Sequence, residues 1–194
     1  MKKQIIYTLF LAISGFSALA QENMHPSPAQ SKTIVISGGT IHVGNGSVIE
    51  NGTVVIEKGK IKSVSATSAS ITGDVERIDA TGKHVYPGLI APNSSLGLVE
   101  FASTKSTVDI EELGEMNPNI RAIVAYNTDS KIINTVRSNG VLLAQITPQG
   151  GMIPGSSSVV QLDAWNWQDA AYAMDNGIHF KMPALINRPA AFQR

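Results

Sequence analysis

The spacing of apolar residues changes at His84, and that change constrains the fold more than any other feature of the chain. Before it, short alternating runs fall at residues 33–37, 40–43, 53–57, 60–65 and 75–79, with Gly or Asn-Gly between most of them. Such spacing predicts an antiparallel β unit. Asn51-Gly52 and Lys58-Gly59 suit tight hairpin turns, because Gly and, to a lesser degree, Asn tolerate positive φ. After His84 the apolar runs are continuous, at residues 85–90, 141–146 and 159–162, as in strands buried on both faces. Helical segments are expected between and after them: 120–126, 128–137 closed by Asn139-Gly140, and 168–175 stopped by Asn176-Gly177. Strand, helix, strand in that order predicts parallel crossover units, so the class is α/β.

The first twenty residues stand apart from the fold. Lys2 and Lys3 precede an apolar run from Ile5 to Leu19, and Ala18-Leu19-Ala20 forms a small-residue cleavage site. This predicts a secretory signal peptide cut after Ala20, and a periplasmic or secreted protein with no membrane segment once it is removed. Residues 21–32, with Pro26 and Pro28, carry no apolar period and read as a flexible tail. The 194-residue chain has no cysteine, which excludes a disulfide framework and thiolate metal sites. Fifteen basic and fifteen acidic residues cancel without a Lys/Arg cluster, so no nucleic-acid surface is expected. A small-molecule substrate, or a homo- or hetero-oligomeric protein partner, fits better.

Four segments together resemble the amidohydrolase superfamily, and within it the imidazolonepropionase-like members. They are Ile36-Ser37-Gly38-Gly39-Thr40-Ile41, Val54-Val55-Ile56-Glu57-Lys58-Gly59-Lys60-Ile61, Ile78-Asp79-Ala80-Thr81-Gly82-Lys83 and Tyr86-Pro87-Gly88-Leu89-Ile90, in the family's order and spacing. The resemblance is firm over residues 33–95 and weaker beyond. It implies a small N-terminal β-sandwich half, residues 33–84, followed from residue 85 by a (β/α)8 TIM-type barrel. A whole barrel takes about 250 residues, while only about 110 follow His84. At about 30 residues per βα unit, an incomplete barrel of about three units is expected, as in the N-terminal portion of a longer protein.

The resemblance also implies hydrolysis of non-peptide carbon–nitrogen bonds by a metal-activated water, with zinc or another divalent ion in intact members. In the family the strand after Pro-Gly-Leu-Ile ends in Asp-x-His-x-His. Here those positions read Ala91, Asn93 and Ser95. Neutral oxygen ligands hold zinc far less well than imidazoles, so no metal ligand is assigned, and these residues alone are expected to be inactive. The alternative is a pseudoenzyme that binds a ligand or pairs with an active paralogue.

Active-site groups of a barrel cluster at the C-terminal ends of its strands. That rule selects Asn93, Ser95 and Gln145 as substrate contacts and Asp163 as the acid, either a proton carrier or merely a helix cap or solvated loop residue. The loop 147–158 adds Gly150 and Gly151, whose amides would cradle an anionic or carbonyl group unless the loop is simply flexible. Trp165 and Trp167 would either wall a pocket or pack on the next helix. Glu111, Glu112 and Glu115 form a small acidic cluster that either binds a cation or, more simply, is a solvated face, and His25, His42, His84 and His179 read as surface or core-edge imidazoles without metal-ligand spacing.

Overall fold

A computed structural model of the chain describes residues 26–66 and 73–182. The expected signal peptide lies outside them. Two sheets organise the structure.

The first sheet contains β1 (Thr33–His42), β2 (Val48–Glu57), β3 (Lys60–Ser65), β4 (Val75–Asp79) and the two-residue β5 (His84–Val85). Its order is β3-β2-β1-β4, with β5 also against β1. β1–β2 and β2–β3 are antiparallel, whereas β4 and β5 run parallel to β1. The β2–β3 turn is Lys58-Gly59, with both residues at positive φ (52° and 72°), as a type I′ hairpin requires. Asn51-Gly52 is not a turn. It lies inside β2, where the register with β1 shifts, and the chain reverses earlier, over residues 43–47, where Val43 N donates to the Ser47 carbonyl. Gly52 is needed there because a Cβ would lie 2.5 Å from Ile41 Cδ1. Ahead of β1, Gln30 fastens the chain to this hairpin: its Oε1 accepts from Gly59 N at 2.5 Å and its Nε2 donates to the Ile56 carbonyl at 2.8 Å.

The second sheet has the order β6-β7-β8-β9, from β6 (Leu89–Ser94), β7 (Val141–Ile146), β8 (Gly155–Gln161) and β9 (Ala171–His179). Between β6 and β7 the chain makes a long excursion that includes two 3-10 turns, Lys105–Thr107 and Ala122–Ala125, and ends in α1 (Lys131–Ser138). Gly140, at φ 87°, ends α1, and Leu89 N donates to its carbonyl at 2.8 Å. The core lies between this sheet and the excursion. Leu98, Ile123, Ile133, Ile146 and Val160 are all at most 2% exposed. Each such side chain contributes about 1.5–3 kcal/mol by leaving water.

Expectation and structure part after β7. β6 and β7 are parallel, joined through α1 as a crossover should be. β8, however, runs antiparallel to β7, and β9 antiparallel to β8. The expected helix over 168–175 is a four-residue turn, α2 (Trp167–Ala170), followed at once by β9. Ala171 and Ala173 are half-buried while Tyr172 and Met174 are exposed, a two-residue period set by pairing with β8. Of the three parallel units expected, the described residues contain one.

Candidate functional site

β6 does not end as a regular strand. Ala91 pairs with Ala144, but the next pair is Ser94 with Ile146, so three steps on β6 match two on β7. The extra residue forms a bulge, and Asn93 occupies it at φ 49°. Its amide N–H reaches Gln145 Oε1 at 3.4 Å. Ser95 falls beyond the strand in a turn, where its carbonyl accepts from Leu98 N at 2.9 Å. The alternation that would put positions 91, 93 and 95 on one strand face is therefore broken. Asn93→Gly is expected to hold stability within about 0.5 kcal/mol, whereas the β-branched Asn93→Val should cost about 1–2 kcal/mol by denaturant midpoint.

Asn93 opens onto a cleft of about 720 Å³ beyond the C-terminal ends of β6 and β7. Its sides are formed by loop 147–154, by the adjacent segment with Glu111 and Glu115, and by His179, Phe180 and Lys181. The sides are stitched together by backbone: Gln149 N donates to the Ile110 carbonyl at 2.6 Å, Ile153 N to the Glu115 carbonyl at 2.9 Å, and Lys181 N to the Met152 carbonyl at 2.9 Å. Met152 N also donates to Glu115 Oε2 at 3.2 Å. Gly151 permits this approach, since a Cβ there would stand 2.5 Å from the Gly114 carbonyl oxygen. Gly150 and Gly151 thus line the cleft, but Gly151 meets a neighbouring strand of backbone. The loop is held rather than free.

The remaining candidates divide. Gln145 points into the sheet, where its Nε2 donates to Ser157 Oγ at 3.2 Å and that hydroxyl lies 3.0 Å from Asn176 Oδ1. It supports Asn93 from behind and does not line the cleft. Asp163 lies at the other end of the sheet. Because β8 runs antiparallel to β7, its C-terminal end meets the start of β7, shown by Leu162 N donating to the Leu142 carbonyl at 3.1 Å. There Asp163 pairs with Arg137 at 3.1 Å and accepts from Ser27 N at 3.2 Å. Trp167 packs on the core and Trp165 is exposed, and neither lines the cleft.

Glu111, Glu115, His179 and Lys181 were not legible as cleft residues, since the excursion that carries the glutamates follows no regular period. A second polar group was also hidden. Asp175, in a β9 bulge at φ 51°, makes a two-pronged ion pair with Arg121 (2.9 and 2.8 Å) and accepts from Ser156 Oγ at 3.0 Å. The Arg121 hydrogen bond is the largest effect on the Asp175 carboxyl; it outweighs desolvation, the next largest and opposing one, and with the lesser contributions of the Ser156 bond and the Arg121 charge it holds the carboxyl below the ordinary range. A carboxyl whose folded pKa is depressed contributes stability above its unfolded pKa of about 3.9 and loses it as pH falls through the folded value. Acid unfolding of Asp175→Asn should accordingly depend less on pH below about 4 than that of the parent.

The residues present do not fit the divalent ion that the resemblance implies. Asn93 offers an amide, Ser95 is in a turn outside the cleft, and no group of three His, Cys, Asp or Glu side chains able to hold a metal occurs among the described residues. No helix among them is long and apolar enough to cross a membrane.

No family model and no curated protein matches the chain. Solved structures do. An amidohydrolase from Thermotoga maritima MSB8 superposes with a TM-score of 0.70 at 21% identity, over 76% of this chain and 38% of that one. A prolidase complexed with N-methylphosphonate-L-proline aligns at TM-score 0.41 and 22% identity over 58% of this chain and 25% of its own, and a molinate hydrolase at 0.30 and 38% over 34% and 15%. The chain spans well under half the length of each of these proteins. Over that span the chain shares its fold with the Thermotoga maritima amidohydrolase, the class that the four sequence motifs resemble.

Proposed function

We propose that the protein is an exported amidohydrolase-type hydrolase of non-peptide carbon–nitrogen bonds, and that the cleft beside Asn93 is its substrate-contact surface. The observation that carries this reading is the position of the cleft, beyond the C-terminal ends of the parallel pair β6 and β7 in an amidohydrolase fold. Its walls suit a small polar amide: the Asn93 side chain to hydrogen-bond a carbonyl, Glu111 to accept from an N–H, Lys181 and His179 to meet negative charge, and Met152 and Phe180 to cover apolar atoms. In this reading residues 33–84 form the β half and residue 85 onward the barrel half, with β6, α1 and β7 its opening unit and β8–β9 a hairpin added to the rim.

The test is to assay the purified protein for hydrolysis of small linear and cyclic amides. Turnover is expected, and Glu111→Gln is expected to raise KM about tenfold. Absence of turnover on such amides overturns the reading.

One observation favours a second function. The positions of the missing histidine pair hold an amide in a bulge and a hydroxyl in a turn, so a catalytically silent relative that keeps the cleft for ligand binding, or pairs with an active paralogue, also suits this geometry. Co-purification of the protein with an intact relative supports it, and hydrolysis by the isolated protein overturns it.

A further inference from the structure

Outside the cleft, the first sheet carries a pair of convergent imidazoles. β5 runs parallel to β1 in the register Thr40 with His84 and Ile41 with Val85, which brings His42 opposite Tyr86 one step further on. The His42 ring stacks on Tyr86, with centroids 4.1 Å apart and planes 10° from parallel. Its Nε2 lies 3.0 Å from His84 Nδ1. His42 of β1, His84 of β5 and the following Tyr86 thus come together, while His84 and Tyr86 stay open to solvent. No local pattern announces this pair, because 42 residues separate its members.

We propose that His42 Nε2 and His84 Nδ1 chelate a divalent transition-metal ion of the copper or nickel type on the surface of the β half. As the pair stands, one imidazole proton lies between the two nitrogens, and a cation takes that proton's place. With metal–nitrogen bonds of about 2.0–2.1 Å, a nitrogen separation of 3.0 Å corresponds to an N–metal–N angle of about 94°. That is the cis angle of a tetragonal site, as Cu²⁺ and Ni²⁺ prefer, and is narrow for tetrahedral zinc. No third His, Cys, Asp or Glu joins the pair among the described residues, so water completes the coordination. Stacking on Tyr86 removes rotational freedom from His42 before the metal arrives, which lowers the entropy cost of binding. The site needs nothing from the cleft, and its outcome is independent of any hydrolytic activity.

The test is calorimetric titration of untagged protein with CuCl2 and NiCl2, with electron paramagnetic resonance of the copper form. One equivalent is expected to bind with nitrogen hyperfine structure from two imidazoles and to quench Tyr86 fluorescence. His42→Ala and His84→Ala should each lose roughly tenfold or more in affinity. Both side chains are on a sheet surface, and circular dichroism checks that the variants fold; His42→Gln and His84→Gln repeat the comparison with polar replacements. His179→Ala should bind as the parent does. Equal affinity in the parent, His42→Ala and His84→Ala, loss of binding in His179→Ala alone, or a copper spectrum without imidazole nitrogen overturns the proposal.

Discussion

Gly155→Ala is expected to be the most damaging single-methyl change in the described chain, costing about 3 kcal/mol or more of stability. Two effects act together. Gly155 begins β8 at φ 133°, a backbone conformation that L side chains rarely adopt. A Cβ there would also stand 2.5 Å from the Ile120 carbonyl oxygen, which is backbone and cannot rotate away. That carbonyl already accepts from Ser156 N at 2.8 Å, and the next residue is Arg121, which grips Asp175. Displacing Ile120 therefore strains the β8 edge, its bridge to Arg121 and the Arg121–Asp175 ion pair at once. Gly46→Ala is the comparison: its φ is 92°, but nothing lies within 4 Å, so only the conformational cost of about 1 kcal/mol applies. Urea midpoints of the two variants measure the difference, and equal losses would show that the contact with Ile120 is relieved at no cost.

Ile146→Ala should lose about 3–4 kcal/mol, within the range for emptying a large aliphatic position. Ile146 is fully buried at the end of β7, paired with Ser94 on β6 and with Ser158 on β8. The same core cluster includes Ile123 from the excursion and Ile133 from α1. Such a position collapses poorly when emptied, so the cavity cost adds to the lost burial. Since whole domains are stable by only about 5–15 kcal/mol, the variant should lower the thermal midpoint by several degrees. Leu113→Ala, at a side chain 97% exposed, should shift it within about 0.5 kcal/mol.

Strands were legible wherever local pattern and pairing agree. Residues 60–65, 75–79 and 141–146 have the limits that the alternation and the apolar run predict. The Lys58-Gly59 turn and the α1 stop at Gly140 likewise follow from positive φ, a property of the residue itself. Residues 171–179 show the opposite case. Ala, Met and a closing Asn-Gly favour a helix locally, yet the edge of β8 offers a ladder of backbone partners, and that pairing wins. The same antiparallel turn of direction carries Asp163 to the far end of the sheet and out of the cleft.

Of the residues lining the cleft, the rule that sites form beyond parallel strand ends pointed to Asn93 and to Gly150 and Gly151 of loop 147–158, and did not point to Glu111, Glu115, His179 or Lys181. Those four arrive through an irregular excursion and through the end of an edge strand, whose positions are set by backbone hydrogen bonds between distant segments. By itself the sequence determined the two sheet regimes, the turn chemistry and the replacement of the histidine pair by Asn93 and Ser95, because each depends on residue type and near neighbours. Strand direction, the β6 bulge that breaks the 91-93-95 alternation, and the meeting of His42 with His84 were decided only in the folded chain, because each depends on which distant backbone completes the hydrogen bonds.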